Sequence, residues 1–141
     1  MIDKDKIFQL FADGKEITDD QTKKEIKDFM NGPFAKIGMF VKLIQNHKVF
    51  HQKLEKFLKQ EQPNYNVTPT KEASNFTVFN RAFSYINKIS LDNHDDVNAI
   101  INFDPKVFYD SLDNAIKYFE EGEEYEKCAH LFDIQEVVKR I

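Results

Sequence analysis

Apolar residues return at intervals of three and four along almost the whole chain, and 141 residues contain only four glycines and four prolines. That spacing is the period of an α-helix rather than the two-residue alternation of a strand. So few turn-forming residues leave little room for the many reversals of a β protein. Ile7, Leu10 and Phe11 suggest a short first helix with Asp3 as its N-cap. Thr18 and Gln21 have the capping-box spacing, with an acidic first turn that suits the helix dipole, and open a helix carrying Ile26, Phe29 and Met30. The longest segment runs from Pro33 to just before Pro63, with Phe40, Leu43, Ile44, Phe50, Leu54, Phe57 and Leu58 on one arc. Thr68-Pro69 restarts a helix with a core stripe of Phe76, Phe79, Phe83 and Ile86. Val78, Ala82, Tyr85 and Ile89 widen that stripe, which predicts a central position. A polar turn, SLDNHDD, leads to a short helix, DDVNAIINF. Asp104-Pro105 then caps a helix carrying Phe108, Leu112, Ala115, Ile116 and Phe119 down to Gly122. The last helix holds Tyr125, Cys128, Ala129 and Phe132, then Leu131, Ile134 and Val138. The expected fold is all-α: one helical domain over residues 1–141, a bundle of about six helices ending in an antiparallel hairpin over 104–141.

Hydrophobic residues make up 41% and charged residues 31%, which excludes a disordered or membrane-spanning chain. Fourteen Phe and five Tyr without Trp predict an aromatic core. A single Cys excludes an internal disulfide, and MIDKDKIFQL contains no apolar run of a secretory leader. The expectation is a soluble cytoplasmic protein with no membrane contact. Richness in Lys, Asn, Ile, Phe and Asp is typical of AT-rich genomes, those of many bacteria and their phages among them.

A net charge of −4 conceals strong polarity. Residues 23–59 carry nine Lys against three acids, whereas residues 92–136 carry thirteen acids against three Lys. Lys42, Lys48, Lys53, Lys56 and Lys59 gather opposite the apolar arc of the longest helix. That stripe suits phosphates or an acidic partner, and it equally suits a solvated helix face. Only Arg81 and Arg140 are arginines, so the commonest bidentate contact to guanine is scarce and nucleic acid ranks behind protein as a partner. The lysines and the aromatics are expected on opposite faces, which is not a base-stacking platform. Asp110, Asp113, Glu120, Glu121, Glu123, Glu124 and Glu126 surround the C-terminal hairpin. Such an array suits a basic groove on a partner, though solubility alone also explains it.

His47, His51 and Glu55 stand four apart on one helical strip, the spacing of potential metal ligands. Both histidines fall within the apolar arc, and no ExxH-type partner is visible, so two satisfied interhelical histidines are expected, with pH sensitivity near neutrality. Cys128 and His130, two apart on a helix, point away from each other and cannot act as nucleophile and base; Cys128 is expected to be buried with Tyr125, Ala129 and Phe132. Glu126, His130 and Asp133 form a row expected to be exposed. Placed as a calcium loop, the region up to Gln21 puts Leu10, Ala12 and Gly14 at ligand positions, which excludes that site. No pair of glycines lies close enough for a phosphate-binding loop. No cofactor is expected.

Residues 125–134, YEKCAHLFDI, with the helix from Leu112 before them, resemble the UVR motif, a helical hairpin of bacterial excinuclease subunits B and C. The resemblance spans residues 112–141. Tyr125-Glu126, Cys128-Ala129, and Leu131 with Asp133 and Ile134 occupy the motif's characteristic positions; Phe132 stands where the family has Arg. The resemblance implies a hairpin that mediates protein–protein contact without a catalytic role.

Together these features predict a non-enzymatic interaction module, an adaptor or small inhibitor, whose acidic hairpin meets a basic protein surface such as one built for nucleic acid. The alternatives are a metal-binding bundle at His47 and His51, or a nucleic-acid-binding module using the Lys stripe.

Overall fold

The computed structural model describes residues 20–141. The predicted first helix at Ile7, Leu10 and Phe11, the excluded calcium register, and Thr18 of the capping box lie outside the described residues. Those described form six α-helices and no strand: α1 (Asp20–Asn31), α2 (Pro33–Glu61), α3 (Thr68–Ile86), α4 (His94–Asn102), α5 (Pro105–Glu121) and α6 (Tyr125–Lys139). The fold is the expected all-α bundle.

Local chemistry accounts for the boundaries. Gly32 precedes α2 and Pro33 fills its first turn, where a missing N–H costs nothing. A Cβ at Gly32 would stand 3.2 Å from the Phe29 carbonyl oxygen, so glycine allows the tight joint between α1 and α2. Asn93 caps α4 by accepting from the Asp95 and Asp96 amides, and Asp96 turns back to accept from the Ser90 amide. The acidic SLDNHDD turn thus commits much of its polarity to its own backbone. Asp104 caps α5 through the Lys106 and Val107 amides, with Pro105 following, as the sequence predicts.

The α5–α6 turn departs from expectation. Gly122 closes α5 with φ −84, and the left-handed position falls on Glu123, at φ 59. The Glu124 amide donates to the Phe119 carbonyl and the Glu123 amide to that of Glu120, the paired bonds of a Schellman motif. Glycine usually occupies the position that Glu123 holds here.

The central helix is α2 rather than α3: it packs on α1, α3, α4 and α5, while α6 lies along α5 and touches α4. Ile37, Phe40, Val41 and Ile44 from α2 meet Ala82 and Ile86 of α3, Ile100 of α4, Phe108, Leu112, Ala115 and Phe119 of α5, and Leu131, Ile134 and Val138 of α6. Rings link the elements: Phe103 lies 5.3 Å from Phe34 and 5.6 Å from Phe108, and Phe83 lies 5.5 Å from Phe119. Fully burying a ring, as at Phe108 and Phe119, contributes roughly 1.5–3 kcal/mol.

Several aromatics expected in the core are outside it. Phe50, Phe57 and Phe76 are 59%, 57% and 66% exposed. The core-facing arc of α2 ends near His47. Beyond it α2 has no buried residue: Leu54 and Leu58 are half-buried, and Phe50 and Phe57 are exposed. Tyr125 and Phe132 are likewise 64% and 51% exposed, and Ala129 faces solvent. Helix α6 carries two apolar stripes, and the one bearing Leu131, Ile134 and Val138 is turned to the core. Cys128 is half-buried between the two.

Candidate interaction surface

The predicted acidic array stands at the tip and along the flank of the α5–α6 hairpin. Glu120, Glu121, Glu123, Glu124 and Glu126 are exposed within seven residues, as is Asp110 one face away on α5. Of these five glutamates, Glu124 is ion-paired, to Lys127 at 3.0 Å; the other four carry no ion pair among the described residues. Asp113 is half-buried and bonds Lys117 at 3.0 Å, which draws it out of the free array. Tyr125, exposed at the start of α6, is flanked in the chain by Glu123, Glu124 and Glu126. Phe132 lies two turns further on the same face, with Ala129 between them. The patch is therefore acidic with aromatic residues exposed inside it, a combination hidden from a reading that buried Tyr125 and Phe132.

Lys127 is the functional-looking side chain that periodicity missed. Its ammonium donates to Asn80 at 2.9 Å and stands 4.9 Å from the Phe119 ring centre and 5.3 Å from that of Phe83. These contacts fasten the start of α6 to α3. Spacing could not reveal them, because they join residues far apart in the chain.

The lysine stripe is where the sequence placed it: Lys42, Lys48, Lys53, Lys56 and Lys59 are all exposed on α2. Lys59 pairs with Glu55 at 3.0 Å. The separation of lysines from aromatics does not hold, since exposed Phe50 and Phe57 adjoin Lys53 along the helix. Between α2 and α3 opens a groove of about 740 Å3, lined by Met39, Lys42, Leu43, Asn46, Phe50 and Val78 among others.

His47, which also lines that groove, and His51 line a second cleft of about 340 Å3 among α2, α3 and α5, with Lys71, Asn75, Tyr118 and Glu121 around it. His47 is buried, and its Nε2 shares a 2.7 Å hydrogen bond with Asn75 Oδ1. The two imidazoles meet edge to face with centres 4.2 Å apart. His51 is half-buried, and its Nε2 is enclosed with no hydrogen-bond partner. Burial, then His47, then Lys71 lower its pKa from the ordinary 6.5, against a weaker pull upward from Glu55. His47 is the satisfied interhelical histidine that the sequence predicts, whereas His51, with its Nε2 unpartnered, departs from that expectation. Glu55 turns its carboxylate to Lys59, and among the described residues no group of three His, Cys, Asp or Glu side chains stands where it could hold a metal ion.

Cys128 and His130 diverge as helical geometry requires. The thiol lies 3.6 Å from the Ile116 carbonyl on α5, whereas the His130 ring bonds the Ile86 carbonyl at 2.9 Å and sits edge-on to Phe83. His130 is therefore a half-buried joint to α3, not a member of an exposed row with Glu126 and Asp133. Burial, together with Glu120 and Glu124, pushes the Cys128 thiol up, away from the thiolate that nucleophilic chemistry uses. Among the described residues no helix is long and apolar enough to cross a membrane.

Compared with known proteins, the chain matches no family model, no curated protein and no solved structure.

Proposed function

We propose that the protein is a non-enzymatic interaction module, an adaptor or small inhibitor, that docks on another protein through the tip and outer face of the α5–α6 hairpin. The observation that carries this reading is the exposed Tyr125 at the start of α6, next in the chain to a turn that carries the exposed, unpaired Glu120, Glu121, Glu123 and Glu126. Aromatic anchors supply most of the energy of a contact, and charges around them set partner and approach. The partner surface is accordingly basic with an apolar recess, as on machinery that handles nucleic acid. Two further points support the reading. The turn is fixed by paired capping bonds, so the carboxylates are presented without a large ordering cost. The UVR-like pattern at residues 112–141 is of a docking hairpin.

The test compares proteins retained by the native chain with those retained by a variant carrying Glu120→Lys, Glu121→Lys and Glu123→Lys. A basic partner held by the native chain, released by raised salt and lost from the variant is the expected result. Retention of the same partners by both chains, with equal salt resistance, contradicts the reading.

A further inference from the structure

Two faces left open by this fold match each other. On α2, Met39, Leu43, Asn46, Phe50, Lys53 and Phe57 succeed one another at spacings of four and three. That is the seam of a helix that packs lengthwise on another helix. Asn46, Phe50, Lys53 and Phe57 are exposed, and Met39 and Leu43 are only partly covered. With Ser74 and Val78 of α3, the part of this seam from Met39 to Phe50 lines the 740 Å3 groove. Lys42 is in its lining, and exposed Lys53 and Arg81 stand one turn beyond Phe50 and Val78, so the cations near it outnumber the acids on these stretches. On α6, Tyr125, Ala129, Phe132 and Glu136 repeat the same four–three–four spacing, and Glu126 and Asp133 flank them. The groove from Met39 to Phe50 is about 16 Å long and the stripe from Tyr125 to Phe132 about 10 Å, at 1.5 Å per residue.

We propose that the outer face of α6 of one chain docks in the α2–α3 groove of a second copy. Tyr125 and Phe132 lie against Met39, Leu43, Phe50 and Val78, while Glu126, Asp133 and Glu136 face Lys42, Lys53 and Arg81. Charge complementarity selects this occupant: cations outnumber acids beside the groove, and the exposed helix face of matching spacing on the same molecule is acidic. The proposal rests on the reading of the hairpin as a docking element and names a partner for it. Because the two faces differ, the contact is head to tail, and it propagates into rings or short chains rather than closing as a two-fold dimer. One helix in one groove buries less than the roughly 1,200 Å² of a stable complex, so association is reversible and builds up at high concentration.

The experiment measures mass by light scattering during gel filtration, from about 10 µM to about 1 mM, for the native chain and for Phe50→Glu and Phe132→Glu. Both side chains are exposed, and thermal melts verify that the variants fold. The native chain is expected to gain mass with concentration and to lose that gain as salt rises from about 0.05 to 0.5 M. Each variant alone stays monomeric. An equimolar mixture associates but stops at two chains, since only the intact groove of Phe132→Glu and the intact α6 face of Phe50→Glu can meet. A native chain that stays monomeric to 1 mM overturns self-docking, and so does a mixture of folded variants that stays monomeric. If the native chain is monomeric yet a basic partner is still lost on reversing the tip charges, self-docking falls and the docking hairpin stands.

Discussion

Lys127 shows how one residue can join elements that the sequence keeps apart. It lies in the first turn of α6, yet it bonds Asn80 on α3, pairs with Glu124 and covers the Phe119 and Phe83 rings. Lys127→Met keeps much of the aliphatic stem and removes the charge. It is expected to cost about 1–2 kcal/mol, from the lost cation–π and charge-assisted contacts, measured as a lower denaturation midpoint. A midpoint equal to that of the native chain would show that these contacts carry nothing. His51 makes a different prediction. Its pKa is lowered in the fold, so below about pH 6.5 the unfolded chain takes up a proton that the folded chain resists. The stability associated with this ring is complete above that pH and declines as the pH falls through it. His51→Phe should therefore narrow the gap in melting temperature between pH 7.5 and pH 5.5; an unchanged gap would place the acid sensitivity elsewhere.

At the scale of elements, the turn between α5 and α6 offers the sharpest test. Glu123 occupies a left-handed conformation beside Gly122, which does not use its own freedom. A non-glycine residue held there costs about 1 kcal/mol or more, and Glu123→Gly is expected to return about that amount in a urea melt. On the docking account the same change weakens partner binding, because it removes a carboxylate from the tip. Helix boundaries were legible because Pro33, Asp104-Pro105 and the break before Pro63 act locally, through capping and backbone geometry. The burial of individual aromatics was not legible at Phe50, Phe57, Phe76, Tyr125 and Phe132. Helical period finds an apolar face, but whether a neighbour covers it depends on where the next helix ends. On α6 the period supports two faces equally, and tertiary packing on α5 decides between them.

At the scale of the whole molecule, charge and exposed apolar surface are arranged together. The basic half of the chain forms the α2 spine and its open groove, and the acidic half forms the hairpin whose outer face stays uncovered. The acidic candidates could be read from composition, since carboxylates at such density have to reach water. The exposed aromatics of the same hairpin could not, because Tyr125 and Phe132 look like core until the packing of α6 is known. His47 was readable as interhelical from its position on the apolar arc; its partner Asn75 was not, since it lies on another helix. The central claim is that these two uncovered faces dock on each other between copies of the chain. The most direct measurement is a backbone amide NMR spectrum of the native chain at about 50 µM and about 1 mM. The account predicts concentration-dependent shifts confined to the outer face of α6, around Tyr125 and Phe132, and to the α2–α3 groove around Met39, Phe50 and Val78. Identical spectra at both concentrations, or shifts spread evenly over the fold, would contradict it.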